Sequence, residues 1–154
     1  MRIIGGALLL IMGAAPLAQT NDTRDLAVVI FVNSGASAAQ AEFTRGLTQL
    51  HNFEYDDAAV HFRAAQTVDP SFAMAYWGEA MTKNHGIWHE QDLAAAREVL
   101  AKLGATPAIR QQRVATAREK QYLDSIEVLY GEGSKEERDQ KYMAVMARLH
   151  QRYP

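Results

Sequence analysis

Cysteine is absent from the 154 residues. That excludes disulfides, thiolate nucleophiles, Cys-ligated zinc and the acylated cysteine of a bacterial lipoprotein. Charge of one sign is also missing: 16 basic side chains face 18 acidic ones, a net charge of −2. No basic surface therefore awaits nucleic acid, and anionic membranes have little to attract. Ten Gly and four Pro are too few for a low-complexity or collagen-like chain. No phosphate-cradling glycine loop, G-x-S-x-G elbow or Ser-His-Asp order occurs either. What is present is an apolar fraction of 48%, enough for one globular domain with a sizeable core.

The first residues read as an address rather than as fold. Met1-Arg2 is followed by 15 uncharged residues, Ile3 to Leu17, and then by Ala18-Gln19-Thr20. A charged tip, a short apolar run and a small-residue end describe a secretory signal peptide. The run is shorter than the roughly 20 residues of a spanning helix, so an uncleaved anchor is the weaker reading. Cleavage is expected after Ala18 or after Thr20, which places the mature chain in the periplasm or outside the cell. Residues 19–36 form an extended N-terminal segment. Its apolar stretch Leu26 to Val32 reads equally as a strand or as coil packed on the domain, and Asn33-Ser34-Gly35 ends it as a turn.

From Ser37 onward the expectation is all-α. Ser37…Gln40, Thr116…Glu119 and Ser134…Glu137 each place a hydroxyl at a helix cap and Gln or Glu three residues on. Asp69-Pro70 and Thr106-Pro107 combine a capping residue with proline in the first turn. Gly104 and Gly131 mark stops. The helices so drawn are 38–51, 55–67, 70–83, 90–103, 107–114, 117–130 and 135–152. Ala58, Phe62, Ala65 and Val68 lie on one helical face, as do Leu93, Ala96, Leu100 and Leu103. Antiparallel hairpins at about 38–67, 70–103 and 117–152 then build the domain 37–154.

Internal repetition points to an architecture. Gly46, Ala58, Phe62, Ala65 and Pro70 reproduce the latter part of W-x2-L-G-x2-Y…A-x3-F…P, a pattern with a period of 34. One period on, Gly46 maps to Ala80, Phe62 to Ala96, Ala65 to Val99 and Pro70 to Gly104. Tyr142, Met146, Leu149 and Pro154 repeat the last spacings, while Gln49 stands where the pattern has Tyr. The chain thus resembles the tetratricopeptide-repeat proteins. Through Gly46 to Tyr55, the run Phe72-Ala-Met-Ala-Tyr-Trp-Gly-Glu-Ala-Met81 and Asn84-His-Gly-Ile-Trp88, it resembles an exported bacterial subset of them. The likeness spans Ser34 to Pro154. It implies a short solenoid acting as a binding scaffold without catalytic activity. Members of the subset continue with further hairpins, and often carry Pro where Gly86 stands here.

Candidate chemistry is sparse. His85 and His89, four residues apart beside Glu90 and Asp92, are the one pair suited to a shared metal, which would make the protein a metal- or cofactor-binding accessory of an envelope oxidoreductase. Asn84 and Gly86 argue instead for a hairpin loop with ordinary histidine hydrogen bonds and Trp88 plugging the core. No cofactor is expected. His51, His61 and His150 have no carboxylate or nucleophile partner in sequence. Glu54, Asp56 and Asp57 read as helix-start acids favoured by the macrodipole. Arg110, Arg113, Arg118 and Lys120 read as a solvated helical face. Met74, Met81, Met143 and Met146 read as core. The expected partner is a protein or peptide lying in the concave face of the stacked hairpins, touched by Gln49, Asn52, Lys83 and Asn84. The stripe Tyr142, Val145, Met146 and Leu149 in the last helix is expected to stay partly exposed, with self-association through that end.

Overall fold

The computed structural model describes residues 30–154; the expected signal peptide, and most of the segment before Asn33, lie outside the described residues. The fold is all-α, with seven α-helices among the described residues. They are α1 (Gln40–His51), α2 (Tyr55–Val68), α3 (Ala73–Met81), α4 (Leu93–Leu103), α5 (Pro107–Gln112), α6 (Ala117–Leu129) and α7 (Lys135–Arg152). Between α3 and α4 a two-residue antiparallel ladder joins β1 (Asn84–His85) to β2 (Glu90–Gln91). Helices α1 and α2 pack together, as do α3 with α4 and α6 with α7.

Helix α3 is the centre. It touches α1, α2, α4 and α6, and every residue from Phe72 to Ala80 is buried. A helix apolar on all sides can only be satisfied by neighbours on all sides. Its polar exception, Glu79, is 2% exposed. The Glu79 carboxylate accepts from Gln66 Nε2 at 2.7 Å and from Arg63 at 3.3 Å, with Lys102 3.7 Å away. Three of the pairs 34 apart share their burial, Gly46 with Ala80, Phe62 with Ala96 and Ala65 with Val99, whereas Pro70 is exposed and Gly104 buried. Ala58 and Ala65 are fully buried on α2, which packs on α1. Ala58→Leu should overpack this seam at a cost of about 1–3 kcal/mol, read as a lowered melting temperature.

Several starts differ from the sequence expectation. Asp69 does not cap a helix at Pro70: its carboxylate accepts from the Ser71 amide and hydroxyl at 3.0 and 2.6 Å, and from the Ala36 amide at 2.9 Å. That closes an Asx turn, and α3 begins only at Ala73 and ends at Met81. Ser37 makes no side-chain cap either, because Gln40 donates instead to Asn33 Oδ1 and Gly35 O. Residues Glu90 and Gln91 are spent on the ladder, so α4 starts at Leu93, capped by Asp92 on the Ala95 amide. Thr106 and Thr116 cap as expected, and Ser134 with Glu137 completes a reciprocal capping box.

Glu119, at the third position of α6, meets both partners. Its Oε2 accepts from Thr116, while its Oε1 accepts from the Ser34 amide and hydroxyl at 2.7 and 2.9 Å. This buried carboxylate fastens the segment before α1 across the bundle. Phe31 is thereby laid on the core as packed coil, its ring 5.7 Å from Phe43, 6.0 Å from Trp77 and 5.1 Å from Tyr122. The described part of the 26–32 run is therefore not a strand.

Arg110 also departs from expectation. It is not on a solvated face but buried, forked onto the Glu127 carboxylate and donating to Gly104 O at 2.7 Å. In α7, Leu149 is buried, Tyr142, Val145 and Met146 are half-buried, and Met143 is exposed. The core role expected of Met143 thus fails, since it points away from α6; Met74 is in the core.

Candidate functional site

The C-terminal end of α1, the start of α2 and the ladder after α3 meet at one end of the bundle. Arg138 of α7 steadies this end: it donates to Leu129 O and Gly133 O and reaches Gln91 Oε1 of β2 at 2.6 Å. The tight ladder turn, Gly86–Trp88, leaves no interior position for its apolar side chains. Trp88 therefore does not plug the core; it is 55% exposed, beside Ile87 at 63%. Phe53, in the loop between α1 and α2, is likewise 51% exposed.

These side chains form an aromatic rim. Tyr55 stacks on the His85 imidazole at 4.0 Å, and Trp88 stands edge-on to both Tyr55 and Phe53 at 6.1 Å. Two backbones in the left-handed region frame the cluster, Phe53 with φ 62° and His89 with φ 57°. Non-glycine residues pay for that conformation, and it persists where the surroundings over-determine it. Glu54, Asp56 and Asp57 surround the outer side of Tyr55, exposed, with both aspartates in the first turn of α2.

Behind the rim lies an open groove of about 710 Å³. Leu47 and Leu50 of α1, Trp77 and Met81 of α3, Tyr122 of α6 and Met146 of α7 contribute to its wall, with Phe31 at one side. Burial, with Tyr122 nearby as a smaller contribution, pushes the Tyr142 hydroxyl above the usual phenol range. Arg118 enters the groove as a cation among rings, 5.5 Å from the centre of Phe31, 5.8 Å from Tyr122 and 6.0 Å from Tyr153.

The four residues expected to touch a partner all fall at the rim end. Asn84 borders the groove, its Oδ1 accepting from Gln91. Asn52 is exposed just after α1, next to Phe53. Gln49 is half-buried, and its Oε1 lacks a hydrogen-bond partner among the described residues. Lys83 faces a separate polar hollow of about 420 Å³ shared with Asp56, His85 and Glu90. His85 spends its ring nitrogens on Thr82 O at 3.1 Å and Glu90 at 3.5 Å. Among the described residues no three His, Cys, Asp or Glu side chains converge as a metal would need. His61, read as partnerless, meets Glu42 at 2.5 Å.

Sequence reasoning missed the cluster of Phe53, Tyr55 and Trp88 at the rim and that of Phe31 and Arg118 further along the groove. One signal was available: aromatic residues standing in loops, at Phe53 and in Gly86-Ile87-Trp88, where no helical stripe can bury them. No protein-family model, curated protein or solved structure matches this chain. Among the described residues no helix is long and apolar enough to cross a membrane.

Proposed function

We propose that this protein is a non-enzymatic protein-binding scaffold of the tetratricopeptide-repeat kind, exported to the periplasm or beyond. The single observation that carries the reading is the exposed rim of Phe53, Ile87 and Trp88, with half-buried Tyr55 among them, at the mouth of an apolar groove. Contiguous apolar surface on a folded domain marks an interaction site, and tryptophan and tyrosine are the residues that most often anchor partners. A partner segment lying along the concave side would bury Trp88 and Phe53 and meet Asn52 and Asn84 at the edge. The 34-residue spacing of Gly46, Phe62 and Ala65 with Ala80, Ala96 and Val99 supports the repeat assignment. The charged tip, 15-residue apolar run and small-residue end of the leader support export.

The test is affinity capture from the envelope fraction with the wild-type chain and with Phe53→Ser/Trp88→Ser in parallel. One protein should be retained by the wild type and lost by roughly tenfold or more in the double variant, because hot-spot side chains carry most binding energy. Both substitutions are at exposed positions, so the melting temperature should hold. Equal retention by both baits would remove the rim from the binding surface.

A further inference from the structure

We infer that the inner end of the groove is a ligand site for an amphipathic monocarboxylate, a small molecule with one carboxylate and an apolar chain or ring. This goes beyond protein docking on the rim and does not rest on it. The argument starts from Arg118. The carboxylate next to it in sequence, Glu119, is committed to Ser34 and Thr116, and among the described residues no acidic side chain pairs with Arg118. Its Nε is buried without a hydrogen-bond partner among the described residues. Arg110 and Arg138, buried in the same bundle, are forked onto a carboxylate or carbonyls, whereas Arg118 is half-buried. Arg118 rests against Phe31, Tyr122 and Tyr153, and its side chain makes no hydrogen bond among the described residues.

Those rings hold the guanidinium in place before any ligand arrives, which lowers the ordering cost of binding. Position along the groove follows from α6 running beside α3: Tyr130 donates to Ala80 O at 2.7 Å, Tyr122 meets Trp77 at 5.4 Å, and Arg118 lies one turn further from the ladder. The cation thus stands at the end away from the aromatic rim. The indole N–H of Trp77, buried at the same wall, is a second donor without a partner among the described residues.

The rest of the groove defines the ligand. A planar fork with spare donors fits a carboxylate. Leu47, Leu50, Met81 and Met146 ask for an apolar body, and about 710 Å³ lies in the range of small-molecule sites, roughly 300–1,000 Å³. One cation in an apolar wall balances one negative charge; a phosphate dianion would leave charge uncompensated where burial makes that expensive.

The probe is dodecanoate, below its micelle concentration, titrated into the full chain carrying Trp88→Phe so that fluorescence reports Trp77. Dodecanol serves as the neutral control. Dodecanoate should bind saturably at one per chain and more tightly than dodecanol. Arg118→Gln should weaken dodecanoate by roughly tenfold or more, the worth of a hydrogen bond to a charged group, and leave dodecanol unchanged. Arg118→Lys should recover part of the loss. Should Arg118→Gln unfold, Met146→Trp supplies the second reading: by filling the wall it should exclude both probes while Arg118 remains. Equal affinity for the two probes, no effect of Arg118→Gln, or no saturable binding would each overturn the inference. So would a dimer, seen by sedimentation, that dodecanoate neither enters nor dissociates, because a second copy would then fill the groove. Binding of dodecanoate is read independently of envelope capture, so either proposal can fail alone.

Discussion

Phe62→Ala should destabilise the protein by about 3–5 kcal/mol, a large fraction of the roughly 5–15 kcal/mol that holds a typical domain folded. The Phe62 ring is fully buried and fits a slot cut by two glycines on separate helices. A Cβ added at Gly46 of α1 would lie 2.9 Å from the ring, and one added at Gly78 of α3 only 2.3 Å from it. Phe43 borders the same slot, its ring centre 5.8 Å away. Removing the ring leaves a void that three helices cannot close without losing their other contacts. The reciprocal change tests the geometry. Gly78→Ala should cost about 1–3 kcal/mol through overpacking, although alanine is the better helix former by about 1 kcal/mol. Combined with Phe62→Leu, Gly78→Ala should cost less than the two single changes added together, since the smaller side chain vacates the Cβ position. Chemical denaturation of the four proteins checks this. A stabilised Gly78→Ala would mean that the ring does not occupy the slot.

The second large effect belongs to Arg110. Arg110→Ala should cost about 3–5 kcal/mol, because it leaves Glu127 as a largely buried carboxylate without its cation and Gly104 O without its donor. The side chains of the pair are only 9% and 16% exposed, so water cannot easily take over. The cost measures the stranded charge rather than the worth of the pair. Arg110→Met with Glu127→Leu should therefore restore most of the stability, since an apolar pair of similar volume avoids the desolvation penalty altogether. Denaturant midpoints for the single and double variants decide it. If Arg110→Ala costs under about 1 kcal/mol, the pair behaves as an ordinary surface ion pair.

How far the residues themselves foretold this differs from element to element. Ser134…Glu137, Thr106-Pro107 and Thr116 were legible because a cap is a contact between residues three apart, so sequence spacing is spatial spacing. The face Ala58, Phe62, Ala65 was legible because a helix turns every 3.6 residues whatever it packs on, although Val68, expected on the same face, is 49% exposed at the end of α2. The start at Pro70 was not. Asp69 can serve as a cap or close an Asx turn, and the Ala36 amide, 33 residues earlier, accompanies the turn. Trp88 was assigned to the core because tryptophan usually belongs there. The ladder Asn84–His85 with Glu90–Gln91 instead closes a turn too tight to reach inward. Arg110 shows the same limit: its neighbours in sequence describe a charged helix, and its partner Glu127 comes from another.

The sequence by itself determined the all-α class, most helix spans and the sites where small residues admit a neighbouring helix. All of these depend on local hydrogen bonding and the helical period. Only the tertiary structure decided that Glu119 holds Ser34 from 85 residues away and so lays Phe31 on the core, that Phe53 and Trp88 stand together outside it, and that Arg118 faces an apolar groove with no acid beside it among the described residues. Those outcomes depend on which helices lie side by side. A charged or aromatic side chain acquires its role from partners that the chain brings close only when every buried face has found another to cover it.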